Sequence, residues 1–203
     1  MFEIMNHNVI VSTAEIGTAL TKDSIDKLIT NLLAQEKNFT PKSTILFIEA
    51  RAVAGMQHLK ACILNSIKGI SQKNNISNSL NVEILLYLSG YRQISKAIER
   101  CGLSKDTRDI LCVQIIKNEL IKKTSDHIFN FEQFLSENNI SIKEFQRNVE
   151  FIRIADPKTI MKNLEITDEN IDAVIAGEND KISREQALKF LAIEKSALLN
   201  LIK

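Results

Sequence analysis

The sequence predicts an α+β fold: a small, mostly antiparallel or mixed sheet packed with several helices, with a helical C-terminal part. Three observations carry this expectation. Strand-like runs occur near residues 2–11, 44–49 and 109–117, with long intervals between them. The intervals carry helical periodicity, and from residue 119 onward the patterns are mostly helical. Hydrophobic residues at 44% and charged residues at 25% are ordinary for a globular protein, so a real core is affordable over 203 residues.

The elements follow in order. Residues 2–11 contain alternation and the β-branched Ile4, Val9, Ile10 and Val11, which predicts a first strand. In residues 22–36, Ile25, Leu28, Ile29 and Leu32 recur at i, i+3, i+4, i+7, with acids in the first turn. Pro41 marks a loop, and TILFIE at 44–49 reads as a buried strand. Gly55 precedes a helix through about Lys68, with Met56, Leu59, Ile63 and Ile67 on one face.

Residues 74–103 predict a helical hairpin with an apolar seam and a basic outer face. Leu80, Ile84, Leu85 and Leu88 form one run, stopped by Gly90; Ile94, Ala97, Ile98 and Cys101 form the next, stopped by Gly102. Asn78 or Ser79 is the expected N-cap, and the glycines suit a left-handed helix end.

DILCVQIIK at 109–117 is too continuously apolar for an edge strand wet on one side. Ile128, Phe131, Phe134 and Leu135 predict a helix over 127–137, and Ser141 with Glu144 a capping box for a helix through about Phe151. Asp156-Pro157 reads as an N-cap followed by proline at the first helical position. Thr167–Ala176 is a short helix closed by Gly177. Ser183 and Gln186 form a second capping box, opening a last helix with more than one apolar stripe (Leu188, Leu191, Ala192, Leu198, Leu199, Ile202). That helix must bury itself on the body of the fold or against a partner. The expected organisation is one α+β domain over 1–153 and a helical segment over 154–203 packed on the same body.

Several function classes are disfavoured. No run approaches the ~18 apolar residues of a membrane span, and the N-terminus MFEIMNHNVIVS lacks signal-peptide features. Cys62, Cys101 and Cys112 are odd in number and each sits in an apolar pattern, which predicts reduced core thiols in a cytoplasmic protein. There is no GxxxxGK[ST], GxGxxG, HExxH, GxSxG or CxxC motif. Catalytic, metal and cofactor sites are therefore expected to be absent.

Charge is informative only locally. The whole chain is +1, but residues 51–105 hold eight cations (Arg51, Lys60, Lys68, Lys73, Arg92, Lys96, Arg100, Lys105) against Glu83 and Glu99. A basic middle in an otherwise acidic chain suits a polyanion on one face. His58 reads as a base or RNA contact, or as a structural histidine near a helix start, which is preferred. Glu83 reads as a buried acid, or as a solvent-facing or salt-bridged one, which is preferred. Tyr87 and Tyr91 beside the cations are candidates for stacking bases; the bland alternative is that Tyr87 is core and Tyr91 only partly exposed.

At this point a family resemblance emerges. ARAVAGMQHLKACI at 50–63 and NISNSLNVEILLYLSGYRQISKAIERCGL at 75–103 resemble the small KEOPS-complex subunit called TPRKB in animals, archaeal members most closely. The resemblance covers roughly residues 1–150. It implies a subunit without catalytic activity of its own. KEOPS makes the threonylcarbamoyl modification on adenosine of ANN-reading tRNAs, and its ASKHA-fold subunit transfers the carbamoyl group. The family binds the kinase-like ATPase subunit (PRPK in animals), and so associates only indirectly with the transferring subunit. Archaeal members also bind the single-stranded 3′ CCA end of tRNA.

A single-stranded tail needs cations for phosphates and amides or rings for bases. Lys60, Lys73, Arg92 and Lys96 are the expected cations; Asn75, Ser77, Asn78 and Tyr91 are the expected base or ribose contacts. Two rivals stand beside this reading: a protein-interaction scaffold without RNA contact, and an enzyme built on His58 and Glu83.

Overall fold

Alternation and β-branching at the start of the chain do make strand, but not one strand. A computed structural model describes residues 1–37, 43–118, 128–149, 156–178 and 181–199. In it, β1 (Phe2–Ile4) and β2 (His7–Ile16) form a hairpin in which Ile4 pairs with His7. The two-residue turn has Met5 and Asn6 at φ 45° and 60°. Both turn residues are left-handed, as the tight right-twisted hairpin requires. The expected single strand over 2–11 is thus corrected to two, the second running five residues further.

The rest of the described fold comprises α1 (Lys22–Glu36), β3 (Ser43–Glu49), α2 (Met56–Ser71), α3 (Leu80–Ser89), α4 (Ile94–Cys101), β4 (Asp109–Lys117), α5 (Phe131–Glu137), β5 (Ile142–Gln146), α6 (Pro157–Leu164), α7 (Asp168–Gly177) and α8 (Arg184–Leu198). The chain forms two compact units, residues 1–50 with 102–150 and residues 51–101 with 151–203. All the described strands lie in the first unit, and the class is α+β as expected.

In the first unit the sheet order is β1-β2-β4-β3, with β5 also on β2 and every pairing antiparallel. The continuously apolar β4 sits between two neighbours, with Val113 opposite both Val11 and Leu46. Alternate residues point to opposite faces, and Ile110, Leu111, Cys112 and Val113 are all buried. One face packs on α1 and α5 through Leu28, Leu32, Phe131, Phe134 and Leu135. The Phe47 ring lies 5.2 to 6.2 Å from Phe129, Phe131 and Phe134. Helix α1 opens on a capping box between Thr21 and Ser24.

Ser141 and Glu144 do not cap a helix. Ser141 immediately precedes β5 and Glu144 lies in it, where Ile142 pairs with Ile16 and Glu144 with Glu15, so Lys143 is the extra residue of a bulge. The bulge turns both Ile142 and Phe145 toward the core. Their spacing of three then imitates a helix, which is why the pattern misleads. Residue 127 and residues 150–155, where the two neighbouring helix expectations end, lie outside the described residues.

In the second unit α2 packs on α3 and α8, α3 on α4, and α8 on α6 and α7. Asp156 caps α6 with proline at its start, and Ser183 with Gln186 forms the expected capping box of α8. Helix α8 buries Ala187, Leu188, Leu191, Ala192 and Ser196, whereas Leu198 stays 40% exposed; Ile202 lies outside the described residues. Fully burying a leucine is worth about 1.5–3 kcal/mol. Gly177 is the last residue of α7 rather than its stop, and Glu178 caps it.

The hairpin of 74–103 is partly corrected. Residues Glu83–Ser89 of α3 are all buried, so that helix has no outer face there. On α4 only Ala97 and Cys101 are buried, while Ile94 and Ile98 are 45% and 51% exposed. Those two pairs form separate i, i+4 rows about 60° apart, and α4 packs on α3. Ser79 is the N-cap of α3, yet its side chain makes no capping bond; its hydroxyl donates to Asn81 Oδ1. Gly90 is left-handed at φ 70°, as expected, but Gly102 is not among the positive-φ glycines.

At Gly90 an added Cβ meets only Leu164 Cδ2, at 3.6 Å. The penalty of Gly90→Ala is then backbone strain alone, about 1–2 kcal/mol. Urea unfolding should show an unfolding free energy lower by that amount, seen as a lower midpoint with an unchanged slope.

Candidate ligand-binding site on the helical unit

The second unit carries the basic middle of the sequence. Helix α2 ends at Ser71, and Lys73 turns the chain back in a left-handed conformation, φ 59°. The Asn74 N–H donates to the Gly69 carbonyl at 2.9 Å. Asn75 Nδ2 donates to Ser77 O and to Asn78 Oδ1, both at 3.0 Å. The Glu83 carboxylate accepts the Ile76 N–H at 3.1 and 3.2 Å and the Ser77 N–H at 2.7 Å. Residues 74–79 therefore form a braced loop with Asn75, Ser77 and Asn78 on it.

Beside this loop lies a pocket of about 400 Å³, lined by Asn65, Lys68, Gly69, Gln72, Asn74, Ile76, Arg92 and Leu199. The lining brings two cations and three amide side chains together with Gly69, Ile76 and Leu199. Arg92 Nη1 also donates to the Leu199 carbonyl at 3.4 Å, which steers its guanidinium.

The remaining expected residues form a second group. The Tyr91 hydroxyl donates to Glu165 Oε1, and that carboxylate, first of all, raises the phenol's pKa. Lys96 Nζ lies 5.0 Å and Arg100 Cζ 6.0 Å from the Tyr91 ring centre. Exposed cation–π contacts of this kind are worth about 0.5–1 kcal/mol. Lys60 is exposed on the first half of α2 and lines neither group.

Of the eight expected residues, then, Arg92 lines the pocket, Asn75, Ser77 and Asn78 form its braced loop with Lys73 at the turn, and Tyr91 meets Lys96. Sequence reasoning missed Asn65, Gln72 and Asn74 and did not single out Lys68. A helical-face reading of α2 could have found three of these, since Asn65, Lys68 and Gln72 stand at i, i+3, i+7. Nothing local in the sequence couples Tyr91 to Glu165.

The enzyme reading loses its residues. His58 is wholly buried: its Nδ1 accepts the Ala54 N–H at 3.1 Å, and its Nε2 shares a hydrogen bond with Ser196 Oγ at 2.9 Å. Burial lowers its pKa to about 4, leaving it neutral and structural. Glu83 is also 0% exposed, which corrects the solvent-facing or salt-bridged expectation. It is held instead by loop amides because α3 is enclosed. Tyr87 is core, at 1%. All three cysteines are free and buried, and burial pushes the Cys62 thiol up to about 12. Among the described residues no cluster of His, Cys, Asp or Glu has metal-site geometry, and no helix is long and apolar enough to cross a membrane.

This is an α+β protein whose helical unit carries a basic, amide-rich pocket beside a braced loop. The model of the family described as kinase binding protein CGI-121 matches residues 21–198. The chain belongs to that family, and the match extends over the C-terminal helices. Two fungal relatives are each named EKC/KEOPS complex subunit CGI121. The Coccidioides immitis (strain RS) protein is 29% identical over 86 residues, 40% of this chain and 42% of that protein. The Candida albicans protein is 25% identical over 100 residues, 49% of each chain. The chain thus spans about half the length of the curated relatives it matches.

The depressed pKa of His58 has a defined pH consequence. The unfolded state takes up the proton first, near 6.5, and the folded state only near 4, so stability falls with falling pH across that window. For a fully buried group that shift is on the order of 3 kcal/mol. Urea unfolding should show this decline between pH 7 and 4, and His58→Gln should flatten it.

Proposed function

We propose that this chain is a non-catalytic subunit of the KEOPS tRNA threonylcarbamoyladenosine-modification complex. In this reading it binds the kinase-like ATPase subunit, associates through it with the carbamoyl-transferring subunit, and recruits tRNA by its 3′ CCA end in the cytoplasm. Membership of the kinase binding family and the names of the fungal relatives support the first part. The motifs at 50–63 and 75–103 favour an archaeal-type member, in which tRNA binding is expected.

The observation that carries the tRNA part is the pocket itself. Lys68 and Arg92 supply charge for phosphates, while Asn65, Gln72 and Asn74 supply amides, which both donate and accept, as base edges require. Asn75, Ser77 and Asn78 extend the same polar surface along the loop. Tyr91 is partly exposed, and its ring already carries Lys96 and Arg100, so a stacked base would meet cations as well as a π-face. Lys60 and Lys73 would add longer-range attraction.

The alternative is a protein-interaction scaffold without RNA contact. Exposed Ile94 and Ile98 on α4, and Phe190 and Leu198 on α8, are the features that favour it.

The two separate in a binding measurement at stated salt. The tRNA-recruiting reading expects intact tRNA to bind more tightly than tRNA lacking its 3′ CCA; equal affinities would sink it. Arg92→Ala and Lys96→Ala should each weaken binding about tenfold and each reduce the salt slope by about 1.

A further inference from the structure

We propose that Glu83 is the positioning residue of the recognition loop, setting the backbone that presents Asn75, Ser77 and Asn78. The inference rests on the reading that this chain takes a tRNA 3′ end. Glu83 sits one turn into α3, is 0% exposed, and its carboxylate is met by two successive backbone amides, those of Ile76 and Ser77. Consecutive N–H groups converging on one carboxylate fix the dihedral angles between them, because both bonds must point inward at once. A buried carboxylate also carries a heavy desolvation cost, so the loop amides are bound to it more firmly than neutral partners would bind them.

The other end of the loop is tied independently. Gly69 O accepts the Asn74 N–H at 2.9 Å, and the Gly69 Cα faces the same junction: a Cβ there would lie 3.5 Å from Glu83 Oε1, 3.6 Å from the Tyr87 hydroxyl and 3.7 Å from Asn75 Cα. Gly69, Asn74 and Ile76 also line the pocket. The carboxylate therefore stands behind the pocket wall, touching its backbone while remaining out of reach of any ligand. Asn75 Nδ2, bonded to Ser77 O and Asn78 Oδ1, completes the brace on the outer side.

Glu83→Gln is the informative change. It preserves shape but removes the charge and puts an NH2 in place of one carboxylate oxygen, so the Ile76 N–H loses one of its two acceptors and the remaining loop bonds are no longer charge-assisted. The unsubstituted protein and the variant are compared for binding to intact tRNA, to tRNA lacking its 3′ CCA, and to the kinase-like subunit, with thermal midpoints alongside. We expect the preference for intact tRNA to fall at least tenfold in the variant, with affinity for the shortened tRNA, its salt slope and kinase-like subunit binding unchanged. A folded variant that keeps the full preference overturns the proposal. Equal affinity of the unsubstituted protein for both tRNAs overturns the tRNA reading and this proposal with it. If the variant does not fold, hydrogen exchange on the unsubstituted protein decides. The Ile76 and Ser77 amides should exchange slowly, and more slowly with a CCA trinucleotide bound. Fast exchange at both, or no response to the trinucleotide, overturns the proposal.

Discussion

A buried polar group must find its partner inside the protein, and in this chain that constraint does the joining. Three enclosed side chains each hold another segment of the chain in place. His58 on α2 reaches Ser196 on α8. Glu83 on α3 gathers the amides of Ile76 and Ser77. In the other unit, Gln114 in the middle of β4 accepts the Phe129 N–H at 2.9 Å, which starts the run of aromatic rings covering the sheet. Leaving any one of these groups unpaired would cost about 1–3 kcal/mol, and more for a charge. Hydrophobic burial supplies the bulk of the driving force, but it is non-directional. These bonds select one arrangement among the compact ones.

The candidate site inherits its shape from that arrangement. The loop after α2 is braced from behind by a carboxylate, and its neighbour Arg92 is steered by a carbonyl of the last described helical turn. A pocket formed in this way can hold a flexible ligand without first paying to order itself. Its lining, cations mixed with amides and a few apolar residues, suits recognition. His58, on which the enzyme reading was built, and the Cys62 thiol are sealed into the core and held neutral. Membership of the kinase binding family agrees with a protein that connects other components.

Much of the fold was legible in the sequence because its signals are local. Capping residues mark the starts of α6 and α8, and the continuous apolar run of β4 announces a strand with neighbours on both sides. The misses have physical causes. A bulge at Lys143 gave β5 the spacing of a helix, and two left-handed residues split the first strand. Ile94 and Ile98 fit an apolar seam, but burial depends on which row the neighbouring helix covers. The site was legible in its charge and in the loop asparagines. The environment of Glu83 was not, because its partners are backbone amides, which no residue type advertises. Nor was the Tyr91–Glu165 pair, which spans 74 positions.

The account stands on one claim, that the helical unit's pocket and loop hold the 3′ end of tRNA. Photo-crosslinking tests it at residue level: tRNA carrying a photoreactive nucleotide in its 3′ CCA is bound, irradiated, and the adducts are mapped by mass spectrometry. The account predicts adducts within residues 65–78 and 91–96, competed away by unlabelled intact tRNA and not by tRNA lacking its CCA. Adducts confined to residues 1–50 or 102–149, or an even scatter over both units, would contradict it.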